Sequence, residues 1–401
     1  MTAGKLKTDV SASNTLYARG PGNTVALVGT SITNNLGSMN SYQFSECYWG
    51  WANVMLGHRF DLISIDGVPG SGSTDGGFAA RIAAVAAGPA QWVCVEALTN
   101  DIAGGQTFTA IKTAITATLT TLKAAGKRVM LLTAPPRNGL TGAQRLVWGQ
   151  VNHWIRQVIA LIPGIFVIDV ASYLTDPANS TPASYVSAFQ SDGIHPTSIG
   201  GKQMGYAFLA ALDAYVPKGN LLGPQSDSNN MIAYAKSSWA GGASAYPTSW
   251  SGAAAGATFS QIARTDGIQG IVQRCVVPAG GNLDLHTPVG GYSVGDRLVG
   301  YLEVMGISGI ESSPAAGTQV CYVYIQAFTA AYGNANMTSE LYPQGGYIVN
   351  VPPYTGYQVF QTPPMTVPAN GMQETDFFIA FYGGATYDLG RVGVVKVDSS
   401  Y

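Results

Sequence analysis

The sequence predicts an α/β protein: a three-layer domain built on a parallel five-stranded sheet, followed by an antiparallel β-sandwich. Three observations carry this. From Thr24 to about Pro217, short β-rich runs alternate with longer helical ones five times over, the pattern of a parallel sheet with helices on both faces and right-handed crossovers. After VPKGNLLGPQSDSNN, which has the composition of a linker, the texture changes to short β-branched and aromatic runs separated by Gly, Pro and Asn, as in an antiparallel sandwich. Finally, 401 residues exceed one ordinary core, so two domains are expected.

The strands of the first domain are TVALVG (24–29), DLISIDG (61–67), QWVCVEALT (91–99), KRVMLLTAP (127–135) and GIFVIDV (164–170). They are nearly continuous apolar runs, as required of strands covered on both faces. Between and after them lie the helical segments FSECYWGWANVMLG, FAARIAAVAAG, TFTAIKTAITATLTTLKAAG, TGAQRLVWGQVNHWIRQVIALI and TSIGGKQMGYAFLAALDAY, apolar at helical spacing and long enough to cross back over the sheet. In the second half GIQGIVQRCVVP, DRLVGYLEVMG, TQVCYVYIQAF, DFFIAFYG and RVGVVKV are strand candidates, while the Ala/Gly/Ser-rich stretch 239–260 is expected to be loop or weak strand. A boundary near residue 220 gives an N-terminal arm (1–20), an α/β domain (21–217) and a sandwich (218–401).

Charged residues are 10% of the chain, against roughly a quarter in typical soluble proteins, and the net charge is −2 with 20 basic and 22 acidic residues. No basic cluster is long enough to track phosphates, so nucleic acid is not an expected partner. The four cysteines lie far apart and lack the CxxC spacing of a zinc site. Cys94 and Cys321 stand in apolar runs and are read as buried thiols; a Cys275–Cys321 bridge is left open. The first twenty residues lack the apolar core of a secretory signal, and no apolar run is long enough to span a bilayer. With a low-charge, glycine-rich surface, the expected location is extracellular or particle-associated.

In an open parallel sheet, ligands bind beyond the carboxyl ends of the strands. Those ends carry Ser31 after the first strand, Gly70 after the second, Asn100 after the third, and SDGIHP (191–196) between the fifth strand and the last helix. Their chemistry is complementary. A serine hydroxyl becomes a nucleophile when an imidazole takes its proton, and the imidazole needs a carboxylate to fix its tautomer and stabilise the cation. Ser31, His195 and Asp192 supply those three groups. The backbone N–H groups of Ser31 and Gly70 and the side-chain amide of Asn100 can supply the donors a tetrahedral oxyanion requires. A glycine at 70 lets the backbone approach the substrate without a Cβ.

These blocks, VALVGTSIT, DGVPGSGST, LTND and SDGIHP, resemble in order and placement the SGNH (GDSL-like) hydrolase family over roughly residues 20–217. The resemblance implies a flavodoxin-like sheet and hydrolysis of esters, commonly acetyl groups on carbohydrates, without metal or cofactor. Two positions depart from the family pattern: Thr30 replaces the aspartate of GDS, and Leu98 replaces a glycine two residues before the asparagine. They bear on the shape of the pocket rather than on the chemistry.

Other candidates weigh less. GYSVG (291–295) fits a nucleophile elbow, but a strand-like run follows it instead of a helix, and no histidine follows His286. His58 and His153 are read as structural or solvated. Arg137, just past the fourth strand, lies on the same sheet edge as a candidate substrate contact, although a solvated loop arginine is the simpler reading. Asp101 is expected to brace its loop. Tyr342, Tyr347, Tyr354 and Tyr357 could offer faces to sugar rings, although sandwich core plus ordinary surface accounts for them more simply. The two-part arrangement resembles bacteriophage tail-spike or tail-fibre deacetylases. That resemblance implies a bacterial surface polysaccharide or another acetylated glycan as partner and a homo-oligomer, trimeric if a tail spike. A lipid or small-ester hydrolase and a non-catalytic glycan-binding adhesin are the alternatives.

Overall fold

A computed structural model describes residues 23–39, 42–216, 230–232, 239, 241, 247, 250–253, 256–265, 270–309, 320–329, 334–342, 358–369 and 372–397. The N-terminal domain is a parallel sheet of β1 (Thr24–Gly29), β3 (Asp61–Gly67), β4 (Trp92–Val95), β5 (Arg128–Leu132) and β6 (Ile165–Ile168), in the spatial order β3-β1-β4-β5-β6. Counting only these strands the order is 2-1-3-4-5, the flavodoxin-like arrangement, whose switch point lies between β1 and β4. β4 is buried throughout, whereas edge strand β3 is only half-buried along its length.

Helices cover both faces. On one side Val25, Leu27, Cys94, Met130 and Ile168 pack against α2 (Tyr48–Met55), α7 (Val170–Leu174) and α8 (Ser198–Leu212). On the other, Val28, Val93, Val95, Val129 and Leu131 pack against α3 (Gly76–Ala87), α5 (Phe108–Ala124) and α6 (Gly142–Gln157). Two short helices, α1 (Ser31–Asn34) and α4 (Thr99–Ala103), start at the carboxyl ends of β1 and β4. The long helices open on threonines whose hydroxyls accept from the first turn: Thr107 for α5, Thr141 in a reciprocal capping box with Gln144 for α6, and Thr197 for α8.

The C-terminal strands are β7 (Ser251–Ala253), β8 (Thr258–Ala263), β9 (Ile271–Val277), β10 (Asn282–Pro288), β11 (Arg297–Ser308), β12 (Val320–Thr329), β13 (Asn334–Tyr342), β14 (Gln358–Gln361), β15 (Met365–Thr366), β16 (Met372–Tyr382) and β17 (Ala385–Val397). They form two sheets, β13-β12-β16-β10-β7 and β14-β11-β17-β9-β8 with β15 on β11, all antiparallel. Leu283, Ile325, Phe377 and Ile379 of one sheet share a core with Leu302, Val304, Val392 and Val394 of the other. Within the Ala/Gly/Ser-rich stretch, Trp239 and Trp250 are buried and stack at 5.1 Å, and β7 and the start of β8 fall there too.

One strand departs from the sequence expectation. Helix is expected from Phe44, but α2 begins only at Tyr48, and Tyr42–Phe44 forms β2, which adds in parallel to β13 at the edge of a sandwich sheet. The α2 helix that follows is buried on all sides, Trp49 facing the N-terminal core and Trp51 the sandwich core. A helix that is apolar all round must be covered all round, so the two parts of the chain share α2.

Among the described residues no helix is long and apolar enough to cross a membrane. Cys47, Cys94 and Cys275 are buried free thiols, which leaves Cys275 outside the bridge considered above. The arm 1–20, the boundary near 220, and Tyr347, Tyr354 and Tyr357 lie outside the described residues, as does the side chain of Tyr342.

Candidate active site

Ser31 is the first residue of α1, immediately beyond β1. The turn is tight because Gly29 lets α1 lie on the sheet: a Cβ there would sit 2.0 Å from the Thr33 hydroxyl. Thr30, the departure from GDS, caps the turn with its Oγ1, which accepts from the Ile32 N–H. Its own N–H and hydroxyl donate to Oε2 of Glu96 at 3.0 and 2.7 Å, and Thr33 adds a bond of 3.3 Å.

Glu96, in the run after β4, is buried beneath the serine turn, and its Oε1 has no hydrogen-bond partner. Burial pushes its carboxyl above the usual range, against the pull of the threonine bonds. Sequence reasoning passed over Glu96 because it reads as part of an apolar strand. The available signal was a lone acid in such a run.

The turn 191–196 brings the base to the serine. Asp192 Oδ1 accepts from the backbone N–H groups of Ile194 (2.9 Å) and His195 (2.8 Å), and Oδ2 lies 2.7 Å from His195 Nδ1. His195 Nε2 lies 2.8 Å from Ser31 Oγ. Asp192 therefore closes its own turn instead of capping α8, which Thr197 does. Gly193 sits at φ +87°, which favours glycine, and its carbonyl accepts from the Asn138 N–H. Burial raises the Asp192 carboxyl, but the backbone and ring hydrogen bonds of His195 and the Ile194 N–H outweigh it and bring it down to about 2.

The oxyanion candidates beyond Ser31 follow β3 and β4, the two strands that border β1. Neither the Ser31 nor the Gly70 N–H has a hydrogen-bond partner among the described residues. Gly70 adopts φ +78° with open space where a Cβ would be, so the turn conformation by itself requires a glycine. Asn100, in α4, donates one Nδ2 hydrogen to Ser71 O (2.9 Å), leaving the other free. Its Oδ1 accepts from Arg137 Nη1 at 3.1 Å. Partial burial lowers the Arg137 pKa, while the nearby charge of Asp192 raises it.

Two braces hold the Gly70 loop. Asp101 accepts from the N–H and hydroxyl of both Ser73 and Thr74, so it braces the neighbouring Gly70 loop rather than its own. Arg81, missed in the sequence, donates to Gly29 O, Asp66 O and Ser71 Oγ and so ties the ends of β1 and β3 to the loop.

The remaining candidates fall elsewhere. His58 is buried, with Nδ1 at 3.1 Å from Asn53, and His153 is exposed on α6. His286 packs on Phe378 in the sandwich. Ser293 lies in a turn between two left-handed glycines and just before β11, so GYSVG forms no elbow. Among the described residues no three His, Cys, Asp or Glu side chains converge as a metal site.

With the serine, imidazole and carboxylate on one rim, the match to known families has a structural footing. Residues 27–202 match the GDSL-like lipase/acylhydrolase family. That segment runs from within β1 through β6 and includes the DxxH turn.

Solved structures similar to the chain include a member of the lipolytic G-D-S-L family from Veillonella parvula (19% identity, 47% of this chain and 97% of that one, TM-score 0.37). A GDSL-like lipase from Bacteroides thetaiotaomicron (18%, 48% and 87%, TM-score 0.35) is also similar. So is a psychrotrophic esterase from Pseudoalteromonas (17%, 48% and 98%, TM-score 0.35). A comparison with curated proteins found no match.

Proposed function

We propose that the chain is a carboxylic ester hydrolase that removes O-acetyl groups from a bacterial surface polysaccharide. The observation that carries the ester chemistry is the unbroken relay from Asp192 through His195 to Ser31, with bonds of 2.7 and 2.8 Å, beside free N–H donors. Ser31 Oγ attacks the acyl carbon while His195 Nε2 takes its proton. Asp192 holds the Nδ1–H tautomer and stabilises the imidazolium.

The oxyanion is met by the N–H groups of Ser31 and Gly70 and the free Nδ2 hydrogen of Asn100. His195 then returns the proton to the leaving alcohol, and water repeats the sequence to release the acid. The polymeric substrate is supported by the exposed rim: Gly70 and the Asp192 side chain, 52% accessible, lie open to solvent. The low charge and high glycine content support a particle-associated setting such as a phage tail, with the sandwich binding glycan or mediating assembly.

The test is to incubate the protein with O-acetylated bacterial polysaccharides and follow released acetate by NMR, with Ser31→Ala as control. Acetate released by the wild type alone supports the proposal. Hydrolysis confined to long-chain esters points to a lipid esterase, and none with any ester to an adhesin; either result sinks the deacetylase.

A further inference from the structure

Arg137 has a cation's chemistry and no ion-paired partner: the charge of Asp192 reaches it, but from beyond ion-pairing distance. A guanidinium presents five N–H donors in a planar fork. Here one of them is used, by Asn100 Oδ1 at 3.1 Å, and among the described residues no carboxylate lies within ion-pairing distance. The side chain is half-buried, where an unpaired charge is costly.

Nor is it a free-swinging loop residue. Two buried prolines, Pro135 and Pro136, precede it, and its N–H bonds to Ala183 O at 2.9 Å. The next residue, Asn138, bonds Gly193 O through its N–H and the Tyr185 N–H through its Oδ1. Arg137 is thus fixed between the amide expected to meet the oxyanion and the turn that carries His195. His195 must protonate the departing alcohol, so the alcohol part of the ester passes on that side.

Resting on the esterase function proposed above, we infer that Arg137 binds an anionic group on the alcohol portion of the substrate, so that the preferred esters are acetylated acidic sugars such as uronic or sialic-type acids. The fork pairs with a carboxylate in two parallel hydrogen bonds while keeping its bond to Asn100. It is therefore a specificity residue for the leaving group as well as a positioning residue for Asn100.

The test compares acetyl esters that differ only in leaving-group charge: 2-acetoxybenzoate and 4-acetoxybenzoate against their methyl esters, each rate normalised to its hydroxide-catalysed hydrolysis. The wild type is expected to favour at least one carboxylate over its methyl ester by about ten- to a hundredfold in kcat/KM, the worth of one charged hydrogen-bonded contact. Arg137→Gln, which can still donate to Asn100, should erase that ratio whatever it does to absolute rates, and Arg137→Lys should retain part of it. Equal normalised rates for charged and neutral esters, or a ratio unchanged in Arg137→Gln, overturn the inference and leave the esterase standing. If no acetyl ester is hydrolysed in a Ser31-dependent manner, the esterase proposal fails and this one with it.

Discussion

Asp192→Asn isolates the part of the mechanism that geometry alone decides. Oδ1 of Asp192 is occupied by two backbone N–H groups and Oδ2 by the imidazole. Asparagine can keep the first set, so the turn should persist, but its NH₂ then faces Nδ1. That nitrogen must become the acceptor, and the ring proton moves to Nε2, pointing at Ser31 Oγ. A base that already holds its proton cannot take another.

The expected loss in kcat is about 10⁴-fold, the size seen when the carboxylate of such a triad becomes an amide, or about 5.5 kcal/mol of barrier. The assay is steady-state hydrolysis of p-nitrophenyl acetate, with a thermal melt to show that the fold is intact. Because Asp192 is held at about 2, its carboxylate role is present above the usual carboxylate range and lost only as pH falls through that value; an assay above pH 5 thus compares fully ionised wild type with variant. A fall of less than tenfold would refute the idea that the carboxylate sets the tautomer.

Three further outcomes are expected. Asn100→Ala should lower kcat about 10²–10³-fold with little change in KM, the usual effect of losing one oxyanion donor; an unchanged kcat removes Asn100 from the hole. Glu96→Leu should cut kcat on the order of a hundredfold by releasing the serine turn, with Glu96→Gln recovering most of it through a retained acceptor. Loss of thermal stability with kcat intact would make Glu96 merely structural. In the sandwich, Glu303 is fully buried between Arg264 and Arg391; burial raises its carboxyl, but their hydrogen bonds bring it down to about 2. A depressed folded pKa stabilises above the unfolded value of about 4.3 and is lost as pH falls through the folded one. The contribution is on the order of 3 kcal/mol, and the drop in melting temperature between pH 5 and pH 2.5 should flatten in Glu303→Gln.

The sequence by itself determined whatever depends on local period and residue type. Continuous apolar runs marked the strands, helical spacing marked α5 and α6, and the three-residue interval from Asp192 to His195 placed a carboxylate within reach of its own ring. The ends of the strands then showed which polar residues share one edge, since every parallel strand points the same way.

What the tertiary structure decided is adjacency between distant polar groups, for which no period exists. Glu96 lies under Thr30, Arg81 spans β1 and β3, and Arg137 meets Asn100 only because the strand order sets β1 between β3 and β4 and β5 beside β4. The same holds for β2, whose apolar neighbours could have been covered by either core. Its place on β13 follows from how the two cores close around α2, because burial is non-directional and leaves the partner to be chosen by shape and by the hydrogen bonds that must still be made.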